Sequence, residues 1–147
     1  MTQPPLQPCE VLMTDPDEVF YRQVRINDVD VDNGEVRPLA FKTSSNDDGK
    51  LSGTRSSKRS AEQAFYDRKT VNPGSTSIGT WGVTVGEVIS AGSRCIDDSD
   101  CPPPPGSTTP PGHCYIDFRG LDKTERSDLR DDLAFFATTN RRLYPPS

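Results

Sequence analysis

Val19-Phe20-Tyr21-Arg22-Gln23-Val24-Arg25-Ile26 is the first stretch of this chain with the composition of a strand, rich in β-branched and aromatic residues. Alternation places Phe20, Arg22, Val24 and Ile26 on one face and Tyr21, Gln23 and Arg25 on the other. Arg22 then stands in an apolar row, where a charge needs a partner or the mouth of a pocket. Two later stretches resemble it. Ile78 to Val85 sets Trp81, Val83 and Val85 on one face, and Cys114 to Phe118 turns Cys114, Ile116 and Phe118 inward.

Between these strands the signals are shorter. Leu39-Ala40-Phe41-Lys42 reads as a short strand, and Asn46-Asp47-Asp48-Gly49 as a turn that uses Asp-Gly for its left-handed position. Leu51-Ser52 begins a brief extended segment that runs into a loop over 53–59. Three helices carry capping boxes: Ser60 with Gln63, Thr84 with Glu87, and Asp122 with Glu125. The first stops before Asn72-Pro73-Gly74 and the second at Gly92. The third should run about four turns with Leu129, Leu133, Phe136 and Ala137 as its stripe. The expected fold is α+β, with a small mixed sheet of about four to five strands and three helices in a single layer.

The same reading divides the chain into a flexible proline-rich arm at 1–17 and one domain at 18–147. A proline-rich loop at 93–112 interrupts the domain. The prolines at 102–105, 110 and 111 exclude helix and central strand there. Residues 1–16 and 97–112 should be peripheral and mobile. The expected core is Phe20, Val24, Ile26, Phe41, Phe65, Trp81, Val83, Ile116, Phe118, Leu129, Leu133 and Phe136.

Composition limits the possible functions. Of 147 residues, 31% are hydrophobic and 27% charged, enough for one core and too little for two. No apolar run approaches the ~20 residues of a membrane-spanning helix. The net charge of -5 makes nucleic acid a poor match. Met1 to Asp17 lacks the basic and apolar regions of a secretory signal, so the expected location is cytoplasmic, with four cysteines kept as thiols.

The charge is uneven. Residues 50–69 hold six cations against Glu62 and Asp67, a local net of +4 that leaves -9 for the rest of the chain. Ser52, Gly53, Thr54, Arg55, Lys58 and Arg59 lead straight into the helix capped by Ser60. Hydroxyls, guanidiniums and free helix amides together suit a phosphate-bearing ligand. The alternative is a solvated loop. Arg22 has three readings: a clamp on a carboxylate or phosphate, a structural ion pair with Glu62 or Asp117, or a place on an exposed sheet face.

Other constellations fall short. A calcium loop beginning at Asp28 would need glycine and glutamate where Asn33 and Leu39 stand. Cys95, Cys101, His113 and Cys114 lack the paired spacing of a zinc site, and adjacent strand residues face opposite ways. No metal site and no cofactor are expected. A Cys95–Cys101 disulfide is feasible under oxidation, with Cys9 isolated in the arm. His113 is the lone histidine, and no serine nucleophile elbow is present.

Phe20-Tyr21-Arg22-Gln23-Val24, Leu39 to Lys42, Lys50-Leu51-Ser52, Ser60-Ala61-Glu62, Trp81 to Glu87, His113 to Phe118 and Arg142-Leu143-Tyr144 together resemble a family of small bacterial proteins of uncharacterised activity. The resemblance covers most of residues 19–144 and implies a bacterial, intracellular protein. A second similarity is to RES-type ADP-ribosyltransferase-like toxins, through Tyr21-Arg22, Leu51-Ser52 and Ala61-Glu62. It implies Arg22 on a phosphate and Glu62 on the ribose of NAD. Phe41-Lys42-Thr43-Ser44 stands where that family has a glycine-arginine-tryptophan-asparagine element. The leading expectation is a small cytoplasmic interaction or accessory protein with a protein partner. The alternative is a nucleotide-binding or NAD-consuming enzyme.

Overall fold

A computed structural model describes residues 3–44 and 48–146. Strand β1 is Val11–Leu12 and β2 is Val19–Arg25. A 3-10 turn at Ile26–Asp28 leads to a small hairpin of β3 (Val29–Asp30) and β4 (Glu35–Val36). A second 3-10 turn at Pro38–Phe41 precedes β5 (Lys50–Arg55) and α1 (Ala61–Val71). Then come β6 (Ser77–Thr84), α2 (Val85–Ser90), β7 (Cys95–Asp97), β8 (His113–Asp117) and α3 (Lys123–Asn140).

The α+β class holds. The expected mixed sheet of four or five strands is instead a six-stranded antiparallel sheet in the order β1-β7-β8-β5-β2-β6. Two of its members, β1 and β7, lay in segments read as arm and loop. They are two and three residues long, too short to show a period, and pairing with each other and with β8 makes them strands. Leu39 to Lys42 is a 3-10 turn and not a strand, because Pro38 at its start fixes φ and has no ladder donor. Of the expected turn at 46–49, Asn46 and Asp47 lie outside the described residues. Asp48 and Gly49 both adopt positive φ.

Register assigns the two faces of the sheet. Phe20 pairs with Val83, Arg22 with Trp81 and Val24 with Gly79, so these share one face. That face carries the main core, closed by Val85 and Val88 of α2 and by Leu129, Leu133, Ala134 and Ala137 of α3. Thr80 pairs with Gln23 on the opposite face, and its Oγ1 donates to the Ala61 carbonyl at 2.9 Å. Helix α1 therefore lies behind the sheet, with Ala64 and Phe65 buried there. The single layer of helices is corrected to helices on both faces. The physical reason is that Tyr21, Gln23, Thr80 and Tyr115 on the second face also need cover.

All three capping boxes form, with both reciprocal bonds in each. The expected core holds except at two positions. Ile26 is 53% exposed because the strand ends at Arg25 and the 3-10 turn swings it outward, and Phe136 is only half-buried. Met13, Leu51, Tyr115 and Ile96, absent from that expectation, are wholly or nearly wholly buried.

The segment read as a flexible arm is docked across residues 3–17. Val11 and Leu12 extend the sheet, and the Met13 amide donates to the Cys95 carbonyl at 3.0 Å. Arg94 Nη2 donates to the Pro4 carbonyl at 2.5 Å, and Tyr115 Oη donates to the buried Glu10 at 2.5 Å. Cys9 is bonded to Cys101. Backbone partners and one covalent bond, neither visible in composition, hold a segment poor in apolar residues.

Candidate functional site

The basic stretch is occupied from within. Residues 53–55 belong to β5 and not to a loop. A Cβ on Gly53 would stand 2.2 Å from the Phe20 ring, so this glycine makes room for Phe20 and not for a phosphate. Arg55 donates from Nε and Nη2 to Glu18 at 2.7 and 2.5 Å, and from Nη1 to Asp97 at 2.8 Å. Lys58 Nζ donates to Asp97 at 2.9 Å and to Ser99 at 3.1 Å. Arg59 forks onto Asp67 with two bonds of 2.8 Å. Ser60 Oγ accepts the Gln63 amide as the cap of α1. Ser52 and Thr54 lie in the β5–β8 ladder, opposite Tyr115 and His113.

Arg55 and Lys58 are thus paired with carboxylates far away in sequence, and Arg59 with one eight residues on. The Arg55 hydrogen bonds hold the Glu18 carboxyl below its usual range. Burial acts to raise Asp97, but bonds from Ser99, Arg55 and Lys58 outweigh it and hold this carboxyl well below the usual range.

Arg22 is a structural clamp. Its Nε donates to the Ala40 carbonyl at 2.9 Å and its Nη1 to the Ser52 carbonyl at 2.8 Å, tying β2 to the second 3-10 turn and to β5. Glu62 is exposed on α1, behind the sheet and beside Tyr144, whereas Arg22 shares the front face with Trp81. The cleft of Arg22, Ser52 and Glu62 that NAD chemistry would use is not assembled.

The cysteines also depart from expectation. Cys101 is bonded to Cys9 and not to Cys95, so these two are not thiols. Cys95 is fully buried in β7, where burial pushes its thiol up to about 12, and Cys114 is raised for the same reason. Both are chemically quiet. Among the described residues, no three metal-capable side chains cluster.

What the structure does assemble lies behind the other half of the sheet. The segment from Cys101 to His113 folds into a ridge with two turns of the same chemistry. The Ser107 amide donates to the Pro104 carbonyl at 3.1 Å with Gly106 at φ 83, and the His113 amide donates to the Pro110 carbonyl at 3.3 Å with Gly112 at φ 68. Each is a Pro-Pro-Gly turn: proline presets its second position, and glycine accepts the positive φ of its third. Consecutive prolines 102–105 leave Pro102 to Pro104 extended, since each precedes another proline. They are exposed.

The ridge is fixed at both ends. The Cys9–Cys101 disulfide holds its entry, and the Arg55 amide holds its exit by donating to the Gly112 carbonyl at 2.9 Å. Beneath it is a cleft of about 350 Å³ between ridge, sheet and docked arm. Lys50 and His113 line it from the sheet, Glu10 from the arm, and Pro102, Thr109 and Pro110 from the ridge. His113 Nδ1 donates to Asp98 at 2.5 Å. Lys50 Nζ stands 5.4 Å from the centroid of the Tyr115 ring. Sequence reasoning had noticed the prolines and His113, but it had no signal joining them to Lys50 or Glu10.

Comparison with known proteins gives no match: no family model fits the chain, and no curated protein and no solved structure is significantly similar to it.

Proposed function

We propose that this chain is a non-enzymatic interaction or accessory module that presents the proline ridge to a protein partner. The observation behind this reading is the exposure of Pro102 to Pro105 on a segment tied down at both ends. An extended proline run has no internal hydrogen bonds to satisfy and little conformational entropy to lose. It therefore docks well into grooves lined by aromatic side chains. Fixing its ends lowers the ordering cost further. The partner is accordingly a protein with such a groove. The bacterial origin implied by the family resemblance belongs to this proposal. The site of action we propose is an oxidising compartment, since the disulfide that anchors the ridge persists there and is rare in the reducing cytoplasm.

The test is an affinity capture from the native host with the oxidised protein and its Pro103→Ala/Pro104→Ala variant. A partner retained by the native chain and lost with the variant supports the proposal. Equal retention by both, or no reproducible partner, overturns it.

A further inference from the structure

One cation lining the cleft under the ridge has no ion-pair partner among the described residues. The cleft's carboxylates are served from inside the molecule. Glu10 accepts the Gln7 amide at 2.8 Å and the Tyr115 hydroxyl at 2.5 Å, and Asp98 accepts from His113. Its cation is not so served. Arg94 and Arg119 are paired with Asp117, and Arg55 and Lys58 with Asp97. Among the described residues, Lys50 has no carboxylate partner. It has the Tyr115 ring, and it lines the cleft with its stem half-buried. An ammonium over an aromatic face still has donors to give.

The geometry points to a binding site for a small organic monocarboxylate, with its acid group on Lys50 and its apolar body against the proline rings. Three features set that class. The volume of about 350 Å³ falls at the small end of sites that enclose a drug-sized molecule. The ridge wall mixes apolar rings of Pro102 and Pro110 with the hydroxyls of Thr108 and Thr109, which can donate beside the ammonium. One unpaired cation near the carboxylates of Glu10 and Asp98 suits a single negative charge. A dianion such as a phosphate monoester would meet their repulsion with only one cation to offset it. Pro102, Pro103 and Pro104 line this cleft as well as facing outward, so the small ligand and the proposed protein partner meet the same segment from its two sides.

The experiment uses the whole oxidised chain and benzoate as probe, with benzamide and inorganic phosphate as controls, read by amide and imidazole NMR shifts. Benzoate should perturb Thr108, Thr109 and His113 saturably, with a dissociation constant on the order of 1 mM, while neutral benzamide does not. Lys50→Met should weaken benzoate by about tenfold or more, the usual weight of a charge-assisted bond, and Lys50→Arg should retain most of the binding. Thr109→Val provides a milder second test of the ridge wall. Binding of benzamide as strong as benzoate, or phosphate stronger than either, overturns the class. Absence of shifts at concentrations on the order of 10 mM, or unchanged affinity in both Lys50→Met and Thr109→Val, overturns the site. The Lys50 and Thr109 variants leave Pro103 and Pro104 unchanged, so failure of the ligand test leaves the partner test standing on its own.

Discussion

Arg55 grips Glu18 with two hydrogen bonds, at 2.7 and 2.5 Å, across 37 residues of sequence. The Glu18 side chain is 4% exposed and the Arg55 side chain 17%, so both charges are largely withdrawn from water. With Asp97 as a second partner, the guanidinium joins β5, β7 and the residue that leads into β2 at one point.

Removing that cation leaves the buried Glu18 carboxylate without a cation and Asp97 with Lys58 alone. Arg55→Met should lower the unfolding free energy by about 3 to 5 kcal/mol. Changing all three groups, with Glu18→Gln and Asp97→Asn added, should recover part of the loss, because no buried charge is then left unpaired. Urea denaturation of the variants measures both. A loss near zero in Arg55→Met would mean that the cluster is not formed in solution.

Acid should unfold the protein through this cluster and through Asp117, which is paired separately with Arg94 and Arg119. Glu18, Asp97 and Asp117 all have carboxyls held below their ordinary values in the folded state. Their contribution is therefore fully present above the unfolded pKa values, 4.5 for glutamate and 3.8 for aspartate, and is lost as pH falls through the folded ones. Thermal scans should give a plateau above about pH 5 and a continuing decline below about pH 4. A stability that rises on acidification would contradict the ion-pair assignments.

Reduction should loosen one edge of the sheet. The Cys9–Cys101 bond closes a loop with a sequence separation of 92. Loss of so long a crosslink costs about 4 kcal/mol where chain entropy dominates. Denaturation with and without reductant gives the difference, and hydrogen exchange should show Val11, Leu12 and Cys95 to Asp97 opening first. Equal stability in both states would mean that backbone pairing alone secures the segment.

Gly53 should not tolerate a side chain. Overpacking of the Phe20 ring by Gly53→Ala predicts a loss of about 2 kcal/mol. Phe20→Leu in the same molecule should remove part of the alanine's cost, since the ring goes while the Tyr21 carbonyl, 2.6 Å from the new Cβ, remains. A double-mutant cycle with no coupling between the two sites would place Gly53 elsewhere.

Long regular elements with local signals were legible in the sequence. Ser60, Thr84 and Asp122 announced their helices because a cap and its partner lie three residues apart. Phe20, Val24, Trp81 and Val83 announced their strands because alternation is local. What escaped depends on pairing at long range. Val11 and Leu12 carry no period of their own and become strand only beside Ile96 and Asp97. The basic run was read from its cations alone, and Glu18 and Asp97, which neutralise it, lie about 40 residues away on each side. The cleft was invisible for the same reason. Glu10, Lys50 and His113 are brought together by a disulfide and by the register of β5 on β8, and neither follows from local composition.

The two ends of this segment of chain guard the two edges of its sheet. Val11–Leu12 covers the free side of β7, and Tyr144 bridges to Thr80 on the free side of β6, where the Thr80 amide donates to the Tyr144 carbonyl at 2.7 Å. An uncovered edge is a template for adding foreign strands, and here each edge is partly covered by residues far from it in sequence. The sheet therefore stays open on the β6 side until residue 144 has left the ribosome, however early β2, β5 and β6 have met. A nascent chain of this kind passes through synthesis with a sticky edge, and it is then that it most needs a chaperone.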